Sequence, residues 1–194
     1  GEEYIVSFDF EAFQSHYETV TNILHLSIGG PYGFYGDRIP AVYSNQLSSS
    51  EQVLEFRSSV SGNHDHGFDF SYLLNTPYHI VISQLKNDDI VTYSIRINNV
   101  KVHSTVNTDV EVFPAVNLYL SDPWLSTFGG SRKVRNLWVA SGNFTGKPFN
   151  YLISIELFYE FHNNYSVLYC LITLFPISYK HILSNVNVSF KSSD

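Results

Sequence analysis

Methionine is absent from all 194 residues, and cysteine occurs once, at Cys170. A single cysteine excludes an intrachain disulfide and leaves the redox compartment unassigned; with no motif around it, Cys170 is expected as a buried apolar residue. The lack of Met sets the expectation of a processed mature chain, an excised piece or an excerpt. Gly1-Glu2-Glu3 running straight into strand-like sequence suits an N-terminus left by signal-peptide cleavage. Positive charge is also scarce: 11 Lys+Arg against 18 Asp+Glu give a net charge of −7 and a pI near 5.5, with no basic stripe. Nucleic acid is therefore excluded as the expected partner. The acidic balance favours solubility and, at most, cations or neutral ligands such as sugars. A membrane-spanning helix is not expected either, because the uncharged stretch Tyr165–Tyr179 holds 15 residues with Ser, Thr and Pro inside, whereas a span takes about 20 mostly apolar ones.

What is present is apolar and aromatic: 44% hydrophobic residues, 16% aromatic, with 14 Tyr and 15 Phe. Such a composition buries a core rather than staying disordered. In Tyr4–Glu11, Val6, Phe8 and Phe10 alternate with Ser7, Asp9 and Glu11, the two-residue period of a half-buried strand. Comparable runs fall at Thr19–Ile28, Val53–Val60, Tyr78–Leu85, Ile90–Asn98, Val100–Ser104, Val110–Leu120 and Val134–Ala140. Turn signals separate them at Gly29-Gly30-Pro31, Ser48–Ser50, Ser61-Gly62-Asn63, Asn87-Asp88-Asp89 and Gly129-Gly130, and Asn98-Asn99 predicts a tight hairpin. No helical period of useful length interrupts this pattern. The expected fold is all-β, an antiparallel sandwich or barrel.

Residues 1–146 are expected to form that domain, and residues 147–194 an atypical tail. From Tyr151 onward there is no Gly, Ala, Arg or Trp, although Gly occurs 11 times before that point. The tail is open to three readings: non-native or disordered sequence, structure packed on the sandwich, or a membrane or anchor signal.

The order of several fragments carries a resemblance. Thr21–Leu26, Gly29-Gly30 and Tyr35–Val42 are followed by Ser58–Asn63, Tyr78–Gln84, Tyr93–Asn98, Asn107-Thr108, Phe113, Asn117–Tyr119, Ser121–Trp124 and Arg135–Leu137. Over about residues 3–140 this resembles the concanavalin A-like lectin/glucanase superfamily, most closely laminin G-like and pentraxin-like modules of animal extracellular proteins. The resemblance implies a jelly-roll sandwich, an extracellular or cell-surface location, and carbohydrate binding or cell adhesion. It also implies a Ca2+ on the rim, held by an Asp and backbone carbonyls, for which Asp37, Asp65, Asp69 and Asp122 are the candidates, all in or beside expected rim loops.

Catalytic motifs are missing. The Glu-x-Asp-x-x-Glu strand of the superfamily's glucanases has no counterpart, and Glu51/Glu55 and Asp109/Glu111 read as wet-face charges. No Gly-x-Ser-x-Gly elbow occurs. No enzyme activity is expected; the expected partners are a glycan or an extracellular protein, with membrane contact only through the tail.

The candidate ligand-binding residues are Tyr35, Asp37, Arg38, Asn63, His64, Asp122, Trp124 and Arg132. Arg38 clamps an anion or pairs with a neighbouring carboxylate. Trp124 stacks on a sugar or fills the space between sheets. Tyr32, Phe34 and Tyr35 lie between glycines on one loop, where aromatics mark binding surfaces. His64-Asp65-His66 puts two imidazoles on one side only if the segment is extended; a polar loop is the plainer expectation. Arg132-Lys133-Val134-Arg135 is either a site for an acidic glycan or lipid, or edge-strand protection. Of three glycosylation sequons, Asn143-Phe144-Thr145 lies at the domain's end and is the candidate for modification.

Overall fold

The computed structural model describes residues 2–14, 20–48, 50–113, 115–120, 124–125 and 132–142, together with the backbone of 153–162, 165–174 and 186–190. Every described regular element is a strand. They are β1 (Glu3–Ala12), β2 (Thr21–Ser27), β3 (Ala41–Ser48), β4 (Glu51–Val60), β5 (Asn63–Tyr72), β6 (Tyr78–Asn87), β7 (Ile90–Ile97), β8 (Val100–Val106), β9 (Val116–Leu120), β10 (Arg132–Gly142), β11 (Ile153–His162), β12 (Tyr165–Leu174) and β13 (Val186–Phe190).

Residues 3–142 form two antiparallel sheets of five strands each, β10-β1-β6-β7-β8 and β9-β2-β3-β4-β5. They face one another as a sandwich. Alternation along β1 sends Tyr4, Val6, Phe8 and Phe10 inward, where they meet Leu24 and Leu26 of β2, Val42 of β3, and Leu54 and Phe56 of β4 in one core. Phe10 packs edge-on against Tyr72 across the gap, and the Tyr4 hydroxyl reaches Ser58 Oγ at 3.3 Å. Burial drives the Tyr4 phenol far above its ordinary value, with the Ser58 hydrogen bond opposing the shift. The tail's backbone adds to both sheets: β11 pairs antiparallel with β10, β12 with β11, and β13 runs parallel to β9.

The turn chemistry follows the sequence closely. Asn98 and Asn99 both take positive φ, 50° and 67°, which closes β7 onto β8 with the twist a two-residue hairpin requires. Ser61 and Gly62 do the same between β4 and β5, at 53° and 75°.

Two strands depart from the expected pattern. Ala41–Ser48, which the alternation does not mark, and Asn63–Tyr72, expected to open as a polar loop, are both strands. In β5 the inward positions are His66, Phe68, Phe70 and Tyr72 and the outward ones Gly67, Asp69 and Ser71, while Asn63, His64 and Asp65 are all exposed where the register with β4 shifts. An irregular start and a histidine at the head of the inward row hide its alternation, because imidazole reads as polar. Asp65 and Asp69 therefore stand on a strand face and not in a rim loop. In the other direction, Val110–Phe113 lies outside any strand, and the strand begins only at Val116. Asp109 and Glu111 thus share no strand face.

Candidate functional site

One end of the sandwich gathers three segments: the 28–40 connection between β2 and β3, the Ser61-Gly62 turn between β4 and β5, and residues 107–113 after β8. The 28–40 connection is held from both sheets. On one flank Arg38 Nη1 donates to Asp65 Oδ1 of β5 at 2.5 Å, and Nη2 donates to the Tyr32 carbonyl at 2.9 Å. On the other, the Tyr35 hydroxyl donates to the Asp109 carbonyl at 2.5 Å and its ring lies 6.3 Å from that of Phe113. The Tyr35 phenol is pushed up by burial first, then by the charges of Asp109 and Glu111, against hydrogen bonds from Asn107 and Gly62. Ser59 completes the anchoring, its Oγ accepting from the Gly36 amide at 2.9 Å and its amide donating to the Arg38 carbonyl at 2.8 Å.

Asp37 works inside this loop. Its Oδ2 accepts from the Phe34 amide at 2.8 Å, its amide donates to the Phe34 carbonyl at 3.1 Å, and its carbonyl meets His25 Nε2 at 2.5 Å. Its carboxylate lies directly against Gly30, where any Cβ would run into it. Asp37 is buried, and its geometry is that of a loop staple. The Arg38 question resolves toward the carboxylate partner, Asp65.

The anchored loop presents Tyr32 and Phe34 to solvent, at 57% and 77% exposure, and Ile28 and Val112 are exposed beside the same end of the sandwich.

Asn63 and His64 begin β5 at this same end, both exposed, and Asn63 Oδ1 accepts from the Asp65 amide at 2.9 Å. Asp65 and Asp69 are held by arginines: Arg57 Nη1 donates to Asp69 Oδ1 at 2.6 Å, and Arg57 also bridges to Glu55 at 3.2 Å and lies 3.9 Å from Asp65. Burial alone would lower the Arg57 pKa; the hydrogen bond and charge of Asp69, with Glu55 and Asp65, raise it instead. Among the described residues no group of three or more His, Cys, Asp or Glu side chains is arranged around a cation. The Ca2+ candidates Asp37, Asp65 and Asp69 are thus not drawn together. Asp122, Asn143 and Cys170's side chain lie outside the described residues.

Trp124 and Arg132 are placed elsewhere. Trp124 fills neither the gap between sheets nor the rim. It lies on the outer face of the second sheet, 5.4 Å from the His25 ring and 5.1 Å from that of Tyr119, with Tyr43 on His25's other side at 6.2 Å. Arg132 is buried and pairs in register with Ala12, at the opposite end from the rim. β10 is flanked by β1 and β11, so the Arg132–Arg135 cluster guards no edge. Arg135 instead reaches Glu11 at 3.5 Å, and Lys133 lies 5.6 Å over the Phe13 ring.

Sequence reasoning missed His103. Its Nε2 lies 2.9 Å from His66 Nε2 across the open side of the sandwich, although 37 residues separate the two. No local signal announces that pairing. Comparison of the chain with family models, with curated proteins and with solved structures finds no match. Among the described residues no helix is long and apolar enough to cross a membrane.

Proposed function

We propose that this chain is a non-catalytic recognition module that binds a glycan through the rim formed by residues 28–40, the Ser61-Gly62 turn and residues 107–113. The observation that carries the reading is the contrast within one loop: Asp37, Arg38 and Tyr35 are spent on fixing it, while Tyr32 and Phe34 are held outward. A rigid loop that presents aromatic rings offers flat apolar faces for sugar rings at small entropic loss. The fragment order that resembles laminin G-like and pentraxin-like modules, placed on a two-sheet sandwich, supports a lectin-like, extracellular role.

A glycan array that includes sulfated glycans, probed with and without Ca2+, tests this. Selective binding of one glycan class is expected. Uniform failure under both conditions overturns the reading and leaves an adhesive or scaffolding domain whose partner is a protein.

A further inference from the structure

The open side of the sandwich, away from the tail strands, is bounded by β5 of one sheet and β8 of the other. His66 of β5 and His103 of β8 both face the gap there: His66 pairs in register with Ser58 and His103 with Ile95, two inward residues. Their Nε2 atoms converge to 2.9 Å. The rings are fixed by packing. Phe68 stacks on His103 at 5.0 Å with 25° between planes, and Tyr93 meets His66 edge-on at 5.9 Å and His103 at 6.1 Å. Both imidazoles remain partly open to solvent.

We propose that His66 and His103 form a two-nitrogen site for a divalent transition metal, Cu2+ foremost, that clips the two sheets together. Two metal–nitrogen bonds of about 2.0–2.1 Å meeting at a right angle hold their nitrogens about 2.9 Å apart, against about 3.3 Å at a tetrahedral angle. Both spacings lie within a few tenths of an ångström of the 2.9 Å hydrogen bond of the metal-free pair, so the rings close on a metal with little movement, and Cu2+ binds imidazole most tightly of the series. The proton balance permits it. In the metal-free pair one Nε2 carries a proton and donates it to the other. On binding, that proton leaves Nε2 for Nδ1 of the same ring, so both rings stay neutral and both Nε2 lone pairs go to the metal. Burial, and for His103 also the proximity of His66, lowers both pKa values, which keeps the rings in the ligating form. Water completes the shell. This site is separate from the glycan rim and stands or falls independently of it.

The test uses the full chain, stripped with chelator and titrated with Cu2+, followed by electron paramagnetic resonance and thermal unfolding. One bound Cu2+ with at least two coordinated nitrogens is expected. The midpoint should rise by about 5–10 °C at a hundredfold excess over Kd. His66→Phe and His103→Phe should each abolish the rise, while His79→Phe, on the outer face of the sheet that carries His103, should keep it. Where His103→Phe fails to fold, His103→Asn takes its place. A wild-type chain with no two-nitrogen signal overturns the proposal, and so does a rise that survives both His66→Phe and His103→Phe.

Discussion

Asn107 holds Ser61 in place: its Oδ1 accepts from the Ser61 amide at 2.7 Å, while its Nδ2 donates to Gln84 Oε1 at 2.8 Å. The same Oδ1 takes the Asp109 amide at 3.1 Å, and Ser61 answers by accepting from the Thr108 amide at 3.0 Å. One buried amide side chain therefore ties the β4–β5 turn, the end of β6 and the segment after β8 into a single rim. Satisfied polar groups at that density rigidify a surface.

Asn107→Ala follows from this directly. It leaves the Ser61 and Asp109 amides and the Gln84 carbonyl oxygen without their partner, and a buried group left unsatisfied costs about 1–3 kcal/mol. Denaturant unfolding should show a loss in that range, larger than for Asn63→Ala, whose side chain is exposed and accepts one amide.

Glycine substitutions separate tight contacts from loose ones. Gly30→Ala drives a Cβ into the buried Asp37 carboxylate, and Gly36→Ala adds strain at φ +93° together with a 2.6 Å approach to the Phe113 ring. Both should lower the midpoint clearly. Gly67→Ala meets only the tip of Arg57, at 3.0 Å, and a flexible side-chain end moves aside. Its effect should stay within about 0.5 kcal/mol, as for surface changes generally. Thermal unfolding of the three variants side by side checks the order.

Acid should loosen the open side of the sandwich. His66 and His103 titrate below their ordinary value of 6.5, by burial in both cases and by the neighbouring imidazole for His103. Unfolded histidine then takes up protons before folded histidine does, so stability falls as pH drops through 6.5 toward the lower folded values and is flat above 6.5 on this account. In metal-free buffer, midpoints measured from pH 8 to pH 5 should decline below about 6.5. A chain carrying both His66→Phe and His103→Phe should decline less over that interval.

Much of the fold was legible because alternation survives wherever the inward row is plainly apolar, as in Tyr4–Phe10 and Tyr78–Ile82. It failed for β5, which starts irregularly and whose inward row opens with His66, and for Val110–Phe113, whose apolar residues serve the rim rather than a strand. The rim was half legible. Glycines around Tyr32, Phe34 and Tyr35 marked the loop, yet the division of labour, with Tyr35 inward and Phe34 outward, is set by Asp109 and Phe113, more than 70 residues away. Edge protection by Arg132–Arg135 failed for a related reason: the neighbouring strand β11 that removes the edge comes from the tail.

The most direct test is calorimetric titration of the glycan selected on the array into the wild-type chain and into Tyr32→Ala/Phe34→Ala. Both side chains are exposed, so the double variant should unfold within about 0.5 kcal/mol of wild type. The account predicts measurable binding to wild type that the variant loses. Binding that persists undiminished in the folded variant would contradict it.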